Sequence, residues 1–170
     1  MQIRAATGAD ADRVWALLQP VFRDGTTYAI DPAIKREDAL AYWMDLPAVT
    51  YVVEDKGAIV GTYYIKTNQQ GGGAHVCNCG YIVDEAARGR GLAAQMCIAS
   101  QQQARALGYS AMQFNFVLES NVGAVKLWHR LGFATIGVIP RSFAHPKLGL
   151  VGAHVMFKWL DDAKAQPIWE

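Results

Sequence analysis

Cysteine is scarce in this chain, neither sign of charge is in marked excess, and no apolar run nears the ~20 residues of a membrane-spanning helix. Cys77, Cys79 and Cys97 are an odd set with no further ligand cluster at metal-binding spacing. That argues against a disulfide framework and against a bound metal, and for a reducing, cytoplasmic setting. Cys77 and Cys79 stand two apart, so on a strand they share a face and read as small buried hydrophobes. The net charge is only +1, so bulk electrostatics give no case for a nucleic-acid partner. The N-terminal stretch lacks the basic start and apolar block of a secretory signal. What is present is 170 residues, 52% hydrophobic and 18% charged, which suits a single folded domain, 1–170, with a sizeable core.

Periodicity and breakers give the element order. A short strand spans 2–6, and Thr7 or Asp10 then caps a helix through Val14, Leu17 and Leu18. Gly25 and Pro32 break a loop, a second helix runs from Pro32 to Asp45, and Pro47 ends it. The β-rich runs VTYVVED and AIVGTYYIKT flank Lys56-Gly57 as a hairpin. After the loop NQQGGGA, a fourth strand reads HVCNCGYIV. A long helix from Gly89 to Leu107 places Leu92, Met96, Ala99, Gln103 and Leu107 near one side, and Gly108 stops it. SAMQFNFV is a fifth strand, and a helix from Val122 to Leu131 sits between an Asn121 N-cap and a Gly132 C-cap. The remainder reads as strand FATIGVIP, loop RSFAHPKLG, strand LVGAHVMFKWL and a solvated end, DDAKAQPIWE. The order β-α-α-β-β-β-α-β-α-β-β predicts an α/β fold, a mixed sheet flanked by helices.

One hexamer, RGRGLA (Arg88–Ala93), carries chemistry. Glycine in a helix's first turn is unfavourable, and two in three residues imply a need for bare backbone. The hexamer follows the strand ending YIV and opens the longest helix, where free N–H groups and the positive end of the helix dipole suit a phosphate. It is not a strict dinucleotide fingerprint, and it lacks the Gly-Lys-Ser/Thr of a P-loop.

Arg88, Gly91 and Ala93 match the Q/R-x-x-G-x-G/A signature of the GCN5-related N-acetyltransferases, and NVGAVKLWHRLGF (Asn121–Phe133) resembles that family's N-x-x-A-x-x-L-Y-x-x-L-G-F segment. The resemblance implies the GNAT fold, with a mostly antiparallel, split V-shaped sheet, and acetyl-CoA as donor to an amine. It implies that the backbone around Tyr81, Ile82 and Val83 pairs with pantetheine. It also implies that the N–H groups of Gly89, Arg90, Gly91, Leu92, Ala93 and Ala94 hold the pyrophosphate beside Arg88. Asn121 stands where the family has a cofactor-contacting asparagine, and Trp128 stands where it often has a tyrosine acid. An indole N–H cannot deliver a proton to a thiolate. Phe116 occupies the place of the frequent glutamate base. Catalysis then rests on proximity and on hydrogen bonds to developing charge.

Two asparagines inside apolar strands, Asn78 and Asn115, are the candidates for those bonds, because a buried amide without partners is unfavourable by roughly 1–3 kcal/mol. The alternative is a satisfied structural asparagine at the splay of the sheet. Tyr28, Tyr63 and His75 are candidates for the acceptor pocket, with Tyr64 and His145 weighed beside them, while His129 reads as solvent-facing. The stretches NQQGGGAHVCNCGYIV and MQFNF resemble the branch containing proline-analogue (azetidine-2-carboxylate) N-acetyltransferases. Three functions follow: acetylation of a small amine or amino acid, acetylation of a protein or peptide amine, and a non-catalytic acyl-CoA sensor. A homodimer is expected, because LVGAHVMFKWL would otherwise leave an apolar sheet edge open.

Overall fold

The computed structural model describes residues 1–161; most of the solvated end inferred above, residues 162–170, lies outside the described residues. Its elements are β1 (Gln2–Ala5), α1 (Ala11–Asp24), α2 (Arg36–Leu40, continued by a wider π-helical turn Ala41–Asp45), β2 (Val49–Asp55), β3 (Ala58–Thr67), β4 (Val76–Val83), α3 (Leu92–Ala106), β5 (Ala111–Leu118), α4 (Val122–Arg130), β6 (Ala134–His145) and β7 (Gly149–Trp159). The seven strands pair in the order β1-β2-β3-β4-β5-β7-β6. The order of elements is that read from the sequence, and the architecture is the expected mixed sheet flanked by helices.

The chain divides into two compact units, the first made of 1–66 and 79–97, the second of 67–78 and of Ile98 onward. In the first unit, β1, β2 and β3 form an antiparallel meander. Lys56 and Gly57 both take positive φ (51° and 80°), as a two-residue type I′ hairpin requires. Strand alternation sends Val52, Tyr64 and Ile82 to one face, against Val14, Leu17, Leu18 and Phe22 of α1 and against Trp43. It sends Val53 and Tyr63 to the other face, against Met96 of α3. Asp10 does not cap α1. It is buried, accepts the Thr7 N–H at 2.7 Å and takes two bonds of 2.8 Å from the Arg4 guanidinium. That hydrogen-bonding holds its carboxyl well below the usual range.

In the second unit, β4 and β5 run parallel over two pairs, Val76↔Ala111 and Cys77↔Met112, where their ladder ends. β5, β7 and β6 continue antiparallel. Phe114 of β5 lies 5.1 Å from Trp128 of α4 and 4.3 Å from Phe133, ring centre to ring centre. Cys77, Cys79 and Cys97 are buried, and none of them forms a disulfide.

Four readings need correction. The buried stripe of α3 is Leu92, Met96, Cys97, Ser100, Gln101 and Ala104, whereas Leu107 is exposed. Hydropathy missed Ser100 and Gln101, yet Gln101 is satisfied there: its Oε1 accepts the Lys158 ammonium at 2.7 Å. Lys158 also donates to the Leu131 carbonyl at 2.7 Å and lies over the Phe133 ring. The segment RSFAHPKLG is not all loop, because β6 resumes after an irregularity between Ile139 and Phe143 where Arg141 takes φ 52°. The second helix starts at Arg36 and not at Pro32, since Asp31 caps a separate turn by accepting the Ala33 N–H at 2.8 Å. The last strand is not an edge: β7 lies between β5 and β6, so β6 ends the sheet.

Candidate functional site

The glycine loop lies in the first unit. Asp84 closes β4, and its carboxylate accepts the Ala86 N–H at 3.0 Å. Arg13 of α1 pairs with the same carboxylate and, with that cap, holds its pKa below the ordinary value. Gly89 and Gly91 then take φ of 77° and 74°, a region that L side chains adopt only under strain. A Cβ at Gly89 would meet nothing, and one at Gly91 only the Gln95 Nε2 at 4.0 Å, so protein crowding does not explain the glycines. Dihedral angle and open access do. Gln95 donates its N–H to the Gly91 carbonyl at 3.2 Å as the first turn of α3 closes. The N–H groups of Leu92, Ala93 and Ala94 therefore have no intrahelical acceptor. Arg90 is committed to Asp55, whereas Arg88 is exposed. Bare backbone, outward N–H groups and an arginine suit a diphosphate.

The free edge of β4 comes next. Asn68 donates to the Val76 carbonyl and Asp84 to the Val60 carbonyl, both at 2.9 Å, so the even-numbered residues of β4 turn their backbone groups to β3. Tyr81 and Val83 turn theirs the other way. At Tyr81 those groups are already used: the Tyr28 hydroxyl accepts its N–H and donates to its C=O, each at 3.0 Å. This qualifies the expectation that Tyr81 pairs with pantetheine, and it places Tyr28 on β4 rather than loose in a pocket. Burial pushes the Tyr28 phenol pKa well above its ordinary value, so it stays a donor. Tyr63 is fully buried, stacked on Tyr51 and in tilted contact with Tyr81. The Tyr64 ring lies over Gly80, where a Cβ would approach it to 2.6 Å.

The second unit holds a row of amides. Asn78 donates from Nδ2 to the Gln113 carbonyl at 2.8 Å, one residue beyond the last β4–β5 ladder pair. Its side chain thus replaces a ladder bond where the strands stop pairing. Gln113 donates from Nε2 to Asn115 Oδ1 at 2.8 Å, and Asn115 donates to Asn68 Oδ1 at 2.7 Å. Asn115 is exposed, not buried as the apolar setting of its strand suggests, because a register irregularity between Phe114 and Val117 interrupts the pairing there. Gln113 and Asn68 went unnoticed in the sequence; their only signal is two-residue spacing with Asn115 and a place beside a glycine loop. Asn121 caps α4 by accepting the Ala124 N–H at 3.2 Å. Trp128 is buried against Phe114. His75 is exposed and stacks on Trp159.

The model of the acetyltransferase (GNAT) family matches residues 12–133. N-acetyltransferase aca1 of Schizosaccharomyces pombe is 28% identical over 131 residues, which are 68% of this chain and 63% of that protein, so the chain spans less than two thirds of that relative. A GCN5-related N-acetyltransferase from Kribbella flavida superposes with a TM-score of 0.87 at 39% identity, over 93% of this chain and 96% of that one. The yncA protein of Salmonella typhimurium, solved with acetyl-CoA, superposes with a TM-score of 0.84 at 21% identity, over 99% and 98% of the two chains, a likeness of fold.

Proposed function

Because the chain belongs to the acetyltransferase (GNAT) family, we propose that it transfers the acetyl group of acetyl-CoA to the amine of a small molecule or amino acid, with 1–170 acting as one N-acetyltransferase domain. The observation that carries this reading is the Arg88–Ala94 loop, with its two positive-φ glycines and its unpaired helix-start N–H groups. Those groups, with Arg88, suit the pyrophosphate of acetyl-CoA, and the free edge of β4 at Val83 suits an amide of its pantetheine arm. Asn121 and Trp128 stay candidates for cofactor contacts on the resemblance of their own segment to the family's.

The reaction forms a C–N bond and breaks a C–S bond; the amine loses a proton and the departing thiolate gains one. Trp128 supplies no proton, since indole is a donor that stays protonated at working pH. The thiol has a pKa near the ~8.5 of cysteine, so a solvent proton suffices once the bond breaks. The side-chain amides of Asn78 and Asn115 are assigned to orientation of the amine and to polarising the reacting carbonyl, work that supplies several kcal/mol in a fixed geometry. The acceptor branch that includes proline analogues is the first to try.

The test is thiol release from acetyl-CoA against proline analogues, amino acids, polyamines and peptides. Turnover is expected with a small amine or amino acid. Best turnover with peptides overturns the substrate class, and CoA binding without turnover on any amine favours a sensor. We further propose a cytoplasmic homodimer joined through the β6 side, supported by the end position of β6 and by exposed Val138, Ile139, Leu148 and Leu150. Light scattering that shows a monomer at micromolar concentration removes the dimer.

A further inference from the structure

We propose that Tyr28 is a stop on the free edge of β4: its hydroxyl ends the stretch along which an extended, amide-bearing ligand can pair, so that pairing is confined to Val83 and the acyl end of the ligand meets Tyr28. The inference rests on the acetyl-CoA reading above and assigns the register within it.

The edge groups of one residue, N–H and C=O, form the pair that an added strand would use. At Tyr81 a single hydroxyl takes both, at 3.0 Å each, from a residue 53 positions away in the chain. The hydroxyl is not a chance visitor. The Tyr28 ring meets Phe22 and Trp43 edge-on, with centres 5.9 and 5.8 Å apart. The segment that carries Tyr28 is held to the end of α1, where the Arg23 guanidinium donates to the carbonyls of Pro32 and Ile34. Gly25, with φ 63°, starts the turn that brings the segment back. Displacing this hydroxyl would strand two backbone groups and unpack an aromatic trio, which makes a fixed stop the favoured behaviour over a swinging latch. Two residues further along the same edge, Val83 presents its N–H and C=O immediately before Asp84 and the glycine loop. The edge therefore has an open end near the loop and a closed end at Tyr81. A ligand anchored by its diphosphate at the loop runs up the edge and halts at the phenol, which sets how much acyl chain fits.

The test uses full-length, amide-labelled protein, wild type and Tyr28→Phe. Residue-resolved hydrogen exchange is measured with and without CoA, and calorimetry gives the affinities of acetyl-, propionyl- and butyryl-CoA. In the wild type, the Tyr81 amide is expected to be protected without ligand, and CoA is expected to slow exchange at Val83 and leave Tyr81 unchanged. In Tyr28→Phe, which keeps the ring, the free protein should lose about tenfold of its Tyr81 protection. CoA should then slow both amides, and the preference for acetyl-CoA over butyryl-CoA should narrow. A merely structural tyrosine would raise exchange at Tyr81 without moving the ligand's footprint. An identical footprint in both proteins overturns the proposal, as does CoA-dependent slowing at Tyr81 in the wild type. If Tyr28→Phe does not fold, the wild-type footprint decides alone. Absence of any CoA binding overturns the acetyl-CoA reading itself, whereas binding with the wrong footprint overturns only the stop.

Discussion

The glycine loop of the first unit and the amide row of the second are made of opposite materials. The loop from Arg88 to Ala94 works through backbone. Its useful groups are N–H donors, and its side chains matter by being absent at Gly89 and Gly91. The amide row of Asn68, Asn78, Gln113 and Asn115 works through side chains, set where the β4–β5 ladder ends and backbone pairing gives out. A backbone site tolerates changes of neighbouring side chains and fails when a dihedral angle is forbidden. A side-chain site fails when one amide is removed, and the two failures should fall on different kinetic constants.

The largest effect is expected from the amide row. Asn78→Ala should lower kcat/KM by about 10²–10³, the magnitude for removing one preorganised donor. Asn115→Ala should be milder, since that amide is exposed and shares its bonds with Gln113 and Asn68. Steady-state kinetics on the acceptor found in the panel would read both, and near-wild-type activity in both variants would break the assignment. Next in size, Gly91→Val should weaken CoA binding at least about tenfold, because a β-branched residue at φ 74° is strained by roughly 1–2 kcal/mol and obstructs approach to the backbone. Calorimetry on the folded variant reads this, and unchanged affinity would mean that the loop is not the binding element.

A smaller effect concerns the root of the loop. Arg13 holds the Asp84 carboxyl below its ordinary pKa, so ionised Asp84 contributes stability above about pH 4, and that contribution is lost as pH falls through the lowered folded value. Asp84→Asn should lower stability by about 0.5–1 kcal/mol at neutral pH, the range of a partly exposed ion pair. The difference from wild type should shrink below pH 4 in denaturant titrations. The smallest effect belongs to Trp128→Phe, expected to stay within about threefold in kcat/KM. If that change abolished activity, proton transfer or donor placement at Trp128 would have to replace the role given to the amides.

Legibility in the sequence followed the same division. The loop could be read because glycine records a backbone requirement at its own position. The element order could be read because capping, turn residues and periodicity are local, as Asn121, Gly132 and the Lys56-Gly57 turn illustrate. Tyr28 could be placed between two helices, but nothing local says that its hydroxyl meets the Tyr81 backbone. The exposure of Asn115 depends on a strand irregularity that the apolar run MQFNFV does not announce. The α3 stripe was misjudged because Gln101 is buried through a lysine on another element, and hydropathy counts a residue without its partner.

That lysine bears on self-modification. A protein that handles a thioester exposes its own amines to acyl transfer, and the chemistry requires an amine that has shed a proton and can move. The Lys158 nitrogen is engaged by Gln101 and the Leu131 carbonyl and held over an aromatic ring, whereas Lys56 stands exposed at the tip of a hairpin. During prolonged incubation with acetyl-CoA, adventitious acetyl marks should gather on Lys56 and spare Lys158, so the hairpin tip becomes a chemical clock of how long the protein has met its reagent.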